Sequence, residues 1–585
     1  MKNVSLKTSS LSRARLAKER GTIKKDWGGR IAIALAYPNY YRIAISNLGF
    51  QTVYALFNKN EKVVAERVFL PESEEIPYPY DKGIGLLSLE SRSPLQRFDL
   101  VAFSLSFEND YPNILKILKF GKIPLLSEER NENHPLIMAG GMTTFLNPEP
   151  LTPFFDFFLL GEAEPVLDKF IETFFDIRKF HPSKKGFLKG LIQHLKSIYV
   201  PSLYHVEYHK DGTIKSMEPK EKGVPEKIEV AHHDLPQHPV NISTIITDEM
   251  EFADRILIEL GRGCGRSCRF CAAGYVYRPP RFHKESKLIT AAGAILEEHN
   301  RLALLSPCVA DIPGIENITD YIINRGATFS VSSLRADSLT RELLDHLKRA
   351  GQKSLTIAPE AGSERLRKVI NKHLTKEHIL RAARLIAMTK DYTLKLYFLI
   401  GLPTETNNDV AEISELIKSI KHNLIKESST RGKIGRMKLS VNCFVPKPFT
   451  PFQWFPMENV SILKEKQKWL RKTLSREGGV KVSFDVPKWA YIQSLLALGD
   501  RRVGSILLLA HEHNENWNEV FRFTELNPDF FVYRPKALDE ILPWDFIDNG
   551  LLKEYMIKEY ILASKAIESD VCRIGECTRC GVCKS

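Results

Sequence analysis

The chain reads GRGCGRSCRFC from Gly261 to Cys271, and this stretch decides how the rest of the sequence is interpreted. Its three cysteines, Cys264, Cys268 and Cys271, have the spacing C-x3-C-x2-C, with no fourth cysteine nearby. Thiolates hold iron–sulfur clusters, and a cubane normally takes four of them. Three thiolates therefore leave one iron open to a small molecule. Structural zinc sites usually pair two C-x2-C units, so a zinc knuckle lacking a ligand, or redox-inert thiols, are the less favoured alternatives.

The sequence around this stretch alternates between apolar strands and amphipathic helices over residues 250–486. We predict strands at 256–260, 302–305, 328–331, 354–358, 394–399 and 438–444, and helices at 341–350, 363–372 and 375–389. Six such units predict a partial, open (β/α)6 barrel of the TIM type. Chemistry in these barrels takes place at the carboxyl ends of the strands. The cysteine stretch directly follows the first strand and therefore lies at that end.

The cysteine spacing, with Phe270 before the last cysteine, resembles the signature of the radical S-adenosylmethionine (SAM) superfamily. This resemblance implies a [4Fe–4S] cluster whose open iron binds the amino and carboxylate groups of SAM. It implies an enzyme that cleaves SAM reductively and abstracts hydrogen from a substrate through a 5′-deoxyadenosyl radical. A reductant such as flavodoxin or ferredoxin is implied as a partner.

Further segments at successive strand ends extend the resemblance and imply which residues contact the cofactor. Glu360 to Ser363 resembles the E-x-G-S segment of methylthiotransferase-like radical enzymes, and Gly401 to Thr406 resembles their G-x-P-x-E-T segment. The implied cofactor-binding residues are Phe270, Ser306, Ser333, Arg335, Glu360, Ser363, Lys395 and Tyr397. Two alternatives stay open: Ser363 as a helix cap, and Lys395 as a solvated lysine instead of a partner of the SAM carboxylate.

Residues 31–230 predict a doubly wound α/β domain with a parallel sheet, from apolar strands at 31–36, 101–106, 135–139 and 154–160. This half resembles the cobalamin-binding-type domain that precedes many radical SAM barrels. The matching segments are Tyr37-Pro38-Asn39, Asn147-Pro148-Glu149 and Gly161-Glu162-Ala163-Glu164. The early turn, Ser46 to Gly49, lacks the histidine with which many such domains ligate cobalt. The domain therefore either binds cobalamin without that ligand or shapes the substrate cleft with no cofactor.

A second cysteine group follows a mostly helical extension predicted over residues 487–566. Within residues 567–585, Cys572, Cys577, Cys580 and Cys583 have the spacing C-x4-C-x2-C-x2-C. Four thiolates saturate either a cubane or a zinc ion. The C-x2-C-x2-C core is closer to ferredoxin spacing, which favours a second [4Fe–4S] cluster over zinc. A saturated cluster has no open iron, and this argues against methylthiolation.

Composition and charge limit the possible partners and location of the protein. The 585 residues carry a net charge of +12, part of it in a basic arm over residues 1–30, for which we favour a solvated tail over a polyanion-binding segment. Residues 231–249 predict a linker. No apolar run is long enough for a membrane span, and the expected location is the cytoplasm. Nine cysteines in an intracellular chain argue for metal binding over disulfides. Methylation is one candidate reaction and RNA one candidate substrate; the alternative class is a non-catalytic iron–sulfur protein that binds RNA or the ribosome.

Overall fold

A computed structural model describes residues 12–72, 85–180, 183–252, 254–429 and 435–583. The N-terminal unit is built on a six-stranded sheet of order β2-β1-β3-β4-β5-β6, in which only β6 runs antiparallel. Its strands are β1 (Ile31–Tyr37), β2 (Val63–Phe69), β3 (Leu100–Ser104), β4 (Leu136–Gly140), β5 (Phe157–Leu159) and β6 (Ile198–Tyr199). Its helices are α1 (12–18), α2 (Tyr41–Ile45), α3 (Leu48–Lys59), α4 (Tyr111–Phe120), α5 (Leu167–Phe180) and α6 (Lys184–His194). The order confirms a mostly parallel sheet covered by helices.

Strand β2 was missed by the sequence analysis because two charges interrupt its apolar run. Both Glu66 and Arg67 are nevertheless buried. The Arg67 guanidinium lies 2.6 Å from carboxylate oxygens of both Glu19 and Glu90. These buried charges are tolerated because each is paired and hydrogen-bonded.

The basic arm is not a solvated tail where it is described, and that prediction is wrong for residues 19–27. Arg20 forms a β-bridge with Ile246, and Glu19 accepts hydrogen bonds from buried Arg67. The Trp27 indole donates to Glu66 at 2.7 Å. This part of the arm therefore belongs to the folded N-terminal unit, while residues 1–11 lie outside the described residues.

The second unit is an open barrel of parallel strands in two sheets, β10-β13-β14 and β15-β16-β17-β18, joined by a bridge between Leu334 and Ile357. The strands are β10 (Ile256–Glu259), β13 (Arg301–Leu305), β14 (Thr328–Val331), β15 (Ser354–Glu360), β16 (Thr393–Ile400), β17 (Met437–Cys443) and β18 (Val480–Phe484). The helices are α7 (Ala273–Val276), α8 (Glu285–Leu296), α9 (Ile315–Asn324), α10 (Arg341–Arg349), α11 (Glu364–Val369), α12 (Lys376–Thr389), α13 (Asn407–Ser428) and α14 (Val460–Leu474). The sequence predicted six strands; β18 is a seventh, which corrects the (β/α)6 count.

Three two-stranded ribbons complete the strand pairing, and one of them joins segments on either side of the barrel. Strands β7 (Tyr204–Tyr208) and β8 (Ile214–Pro219) form a hairpin, β11 (Gly261–Arg262) pairs with β12 (Arg281–Phe282), and β9 (Ile228–Glu229) pairs with β19 (Ile547–Asp548). Because β9 precedes the barrel and β19 follows it, the end of the chain returns to the N-terminal unit.

The extension after the barrel is helical and packs against both units. It contains α15 (Pro487–Leu498), α16 (Val503–Glu512), α17 (Trp517–Phe523), α18 (Asp529–Val532) and α19 (Lys553–Ser564). The Asn147 amide donates to the carbonyls of Ala497 and Gly499, and Arg501 pairs with Glu149 at 2.8 Å. No helix among the described residues combines the length and apolarity needed to cross a bilayer.

Candidate active site

The cysteine loop leaves the barrel at the carboxyl end of β10, where the sequence placed it. Gly263 opens the loop with φ +77°, and a Cβ there would lie 2.5 Å from the carbonyl oxygen of Tyr277. Further on, the Cys271 amide donates to the Cys268 carbonyl at 3.1 Å, and the Gly274 amide donates to the Cys271 carbonyl at 3.0 Å. The loop is thus closed by backbone hydrogen bonds, and its first turn requires glycine at position 263.

Gly263→Ala is expected to distort this loop. The left-handed conformation costs an alanine about 1–2 kcal/mol, and the contact with a backbone carbonyl adds to this cost. Gly223→Ala is the matched control, because Gly223 has φ +90° but no atom within 4 Å of its added Cβ. We expect a fall in iron content after anaerobic reconstitution for Gly263→Ala and not for Gly223→Ala. Equal iron content in the two variants would contradict the close fit.

Arginines within the cysteine stretch anchor the loop to its surroundings. The Arg266 Nε donates to Asp311 at 2.8 Å, at the end of the second barrel strand. Arg269 is fully buried and donates to Glu559 and to the carbonyls of Lys368, Val369 and Ile567. The cysteine loop is therefore tied to the barrel on one side and to the helical extension on the other.

The thiols of this loop lie in surroundings that disfavour a free thiolate. Burial raises the pKa of Cys271 to about 12 and also raises the pKa of Cys264. Such thiols stay protonated near neutrality unless a cation takes the place of the proton. Among the described residues, no three Cys, His, Asp or Glu side chains converge as ligands of a single ion. A cubane binds each thiolate through a different iron, so the three thiols of this loop suit a cluster.

The structure brings several of the predicted cofactor contacts together beside the loop. Glu360 ends β15 with φ +67°, and its carboxylate lies 3.1 Å from the Lys372 ammonium. That ammonium also lies 6.0 Å from the ring centroid of Phe270. Arg335 pairs with Asp337 and donates to the Lys372 carbonyl. A strained, charged residue at a barrel mouth is typical of functional sites, because the fold alone gains little from it.

The remaining predicted contacts are more scattered. Ser306 follows β13 and accepts a hydrogen bond from the Cys308 amide, and Ser333 is a partly buried residue after β14. Ser363 caps α11 by accepting from the Leu366 amide, and it donates to Asp409 at 2.5 Å. Its bonds therefore match the helix-cap alternative.

Lys395 and Tyr397 lie on β16, five and three residues before its end. At about 3.3 Å per residue, Lys395 is roughly 16 Å below the strand end. Contact between these two residues and the cofactor stays a prediction.

The second cysteine group docks directly on the first. The Cys572 amide donates to the Gly265 carbonyl at 2.8 Å, and the Cys580 carbonyl accepts from the Leu552 amide at 2.9 Å. Arg278 lies between the groups, donating to Ser267 of the cysteine loop and to the Tyr555 hydroxyl of α19. The four tail thiols and the three loop thiols therefore belong to one region of the molecule.

A mostly apolar cavity of about 530 Å³ lies between the N-terminal sheet and the barrel. It touches the carboxyl ends of strands from both sheets and the glycines that lead into the cysteine loop. Its lining residues include Ser106, Phe145, Gly161, Arg262 and Gly263, and none of the described residues that line it is a histidine.

An ion cluster closes one side of this cavity. Arg262 lies 2.5 Å from Glu164 and 2.7 Å from Glu259, while Arg281 lies 2.8 Å from Glu162. Burial would raise the pKa of Glu164, but the hydrogen bonds and charge of Arg262 hold it at about 2. Glu164 is thus ionised and paired with Arg262, and the ion pairs fix the positions of both arginines.

Sequence reasoning missed the residues that join the parts of the site. Arg269 lies within the cysteine stretch and Arg278 lies shortly after it. Their closeness to the cysteines in the sequence could have indicated a role in the site. Lys372 carried no such signal, because its approach to Glu360 and Phe270 depends on the turn after α11.

Comparisons with known proteins agree with this geometry. Residues 49–201 match the family described as "Radical SAM proteins, N-terminal", and residues 258–417 match the "Radical SAM superfamily". The uncharacterized protein MJ0966 of Methanocaldococcus jannaschii is 31% identical over 479 residues, which cover 81% of this chain and 90% of that protein. The chain belongs to the radical SAM superfamily. The resemblance is confirmed, and the cofactors of this radical SAM enzyme are a [4Fe–4S] cluster and SAM. The non-catalytic alternative is accordingly disfavoured.

More distant relatives share only part of the chain. A tRNA-2-methylthio-N(6)-dimethylallyladenosine synthase of Clostridium beijerinckii is 29% identical over 215 residues, 31% of this chain and 45% of that enzyme. The chain thus spans less than half the length of that relative. Among solved structures, the radical SAM methyltransferase TsrM of Kitasatospora setae has a TM-score of 0.45 at 13% identity, covering 70% of this chain and 72% of TsrM. The cobalamin-dependent radical SAM enzyme OxsB has a TM-score of 0.46 at 14% identity, covering 76% and 61%.

Proposed function

We propose that this radical SAM enzyme methylates its substrate and that the cavity between the N-terminal sheet and the barrel holds cobalamin. The observation that carries the proposal is the position of the cavity, which joins the strand ends of both sheets and reaches the cysteine loop. Ligands of parallel α/β sheets bind at those ends. When bound, the cluster and SAM supply reductive SAM cleavage, and cobalamin supplies a methyl group.

The residues of this chain hold and shelter these groups. Cys264, Cys268 and Cys271 would ligate the cluster, and the Glu360–Lys372 pair provides opposite charges at the barrel mouth. Phe145 and the other apolar lining residues would shield a bound cofactor from water. No histidine lines the cavity among the described residues, so cobalamin would bind there without an imidazole ligand from the lining.

The tail cysteines would hold a second [4Fe–4S] cluster, which would supply an electron relay to the first. Cys572 is hydrogen-bonded to the cysteine loop, so a cluster held by the tail would lie beside the SAM cluster. Four thiolates leave no open iron, which suits electron transfer and not substrate binding. Flavodoxin or ferredoxin is the proposed donor to the tail.

Cobalamin binding tests the proposal. Protein reconstituted without oxygen is mixed with hydroxocobalamin, and we expect about one cobalt per chain and an altered corrinoid absorption spectrum. Ser106→Trp places a bulky ring in the cavity and is expected to weaken binding at least tenfold. Phe107→Trp is the control, because Phe107 is exposed beside Ser106 and does not line the cavity. Wild-type protein with an intact cluster that takes up no cobalt would overturn the cobalamin proposal.

A further inference from the structure

A row of three lysines crosses the barrel strands at one level. Strand register pairs Lys395 of β16 with Lys438 of β17, and Lys438 with Lys481 of β18. Neighbouring strands lie about 4.8 Å apart, so the row extends over roughly 10 Å. We call Lys395, Lys438 and Lys481 the lysine row.

The lysine row faces the inside of the open barrel. On β16 the alternate residues Leu394 and Leu396 are buried in the core that includes the outer helices, and Leu439 of β17 is buried in the same core. Side chains alternate between the two faces of a strand, so the lysines lie on the opposite, concave face. Lys438 and Lys481 are exposed and Lys395 is partly exposed, which leaves the row accessible to a ligand.

The fold itself does not account for this arrangement. Like charges directly opposite one another on neighbouring strands are destabilising, and barrels of this kind normally fill their interior with branched apolar side chains. Within the described ranges, none of the three ammonium groups has a carboxylate within ion-pair distance or any other hydrogen-bond acceptor. Three unpaired, aligned cations inside a catalytic barrel therefore indicate an anionic ligand.

The next level of the barrel adds neutral hydrogen-bonding groups. Two residues further along each strand, Tyr397 pairs with Ser440 and Ser440 with Ser483. Tyr397 is 39% exposed on this face. The hydroxyl groups of Tyr397, Ser440 and Ser483 lie between the lysine row and the carboxyl ends of the strands. The cysteine loop is at those ends. A ligand held by the lysines would thus extend towards the site of the chemistry.

We propose that the lysine row binds phosphate groups of the substrate. Lysine is a point-charge binder of phosphate, and a phosphodiester strand or a small polyphosphate concentrates several negative charges within the length of the row. The inference deepens the proposed function by naming the substrate class. Phosphates from RNA and from a phosphorylated metabolite share this chemistry, and the experiment below distinguishes the two sources.

The test measures binding by the reconstituted full-length protein, without SAM or reductant. The probes are a fluorescent single-stranded RNA 12-mer and inorganic tripolyphosphate. The test variant is Lys395→Gln/Lys438→Gln/Lys481→Gln. The control is Lys464→Gln/Lys468→Gln/Lys472→Gln, which removes the same charge from three exposed lysines on the outer face of α14. Iron content and thermal unfolding verify that both variants are folded.

We expect the test variant to bind at least tenfold more weakly than wild type, and the control to change less than twofold. For RNA, the slope of log K against log salt should flatten by about 2, which corresponds to three lost phosphate contacts on a single strand. Tight RNA binding with weak tripolyphosphate binding identifies RNA as the source, and the reverse identifies a small polyphosphate. Equal losses in the two variants, or no binding of either probe by wild type, would overturn the inference. Because the assay needs neither cobalamin nor SAM cleavage, its failure leaves the proposed function standing.

Discussion

Replacing Cys271 with alanine is expected to abolish SAM cleavage. Two thiolates do not hold a cubane, and Cys271 is one of the three closely spaced thiols of the loop. The measurement is 5′-deoxyadenosine formed after anaerobic reconstitution and reduction, together with the iron count. We expect about eight irons per wild-type chain and about four in the variant, the remainder belonging to the tail cysteines. About one zinc in place of those four irons would instead assign a zinc site to the tail.

The matched control is Cys443→Ala. Cys443 lies on the helix-covered side of β17, and its nearest polar contact is the Gln467 amide at 3.7 Å. It should retain both the iron content and SAM cleavage. Full iron loading and undiminished cleavage in Cys271→Ala would contradict the assignment of the loop.

Arg269→Met is expected to release the tail from the cysteine loop. The Arg269 side chain is 0% exposed and that of Glu559 is 3%, so the change leaves a buried carboxylate without its cation. Breaking a buried pair in this way costs about 3–5 kcal/mol. Hydrogen exchange of residues 550–583 should accelerate about a hundredfold or more, since 1.4 kcal/mol corresponds to a factor of ten. The amides of Leu552 and Cys572 report this directly.

Two further variants show whether the effect of Arg269→Met comes from the lost ion pair or from the lost packing of the side chain. Lys418→Met removes one partner of an exposed pair with Glu415 and should leave the exchange rates nearly unchanged, because exposed ion pairs contribute little to stability. The double variant Arg269→Met/Glu559→Met removes both buried charges and should recover much of the protection, because replacing a whole buried pair by apolar groups is often neutral. Unchanged exchange in Arg269→Met would refute the anchoring role.

The sequence predicted those parts of the fold that are determined by residues close together in the chain. Continuous apolar runs predicted β1, β3 and β4, and the cysteine spacing predicted the family. Strand β18 was missed because its apolar residues alternate with Lys481 and Ser483 and do not form a continuous apolar run. Strand β2 was missed because the pairing of Arg67 with Glu19 and Glu90 joins residues far apart in the chain.

The candidate site likewise has parts that depend on local sequence and parts that depend on contacts between distant residues. The three loop cysteines and Glu360 were predicted from motifs, since their spacing reflects local backbone needs. The approach of Cys572 to Gly265 and the alignment of the lysine row were not predictable. The first depends on how the extension folds back over the barrel, and the second on a register that a shift of one residue would destroy.

The bonds between the helical extension and the N-terminal sheet have a consequence for turnover. Asn147, held by the Ala497 and Gly499 carbonyls, and Glu149, held by Arg501, connect segments about 350 positions apart. A hinge motion that swings the two sheets apart would have to break these contacts together. We therefore expect ligands to exchange through small local movements at the open side of the barrel and not through a hinge between the two sheets.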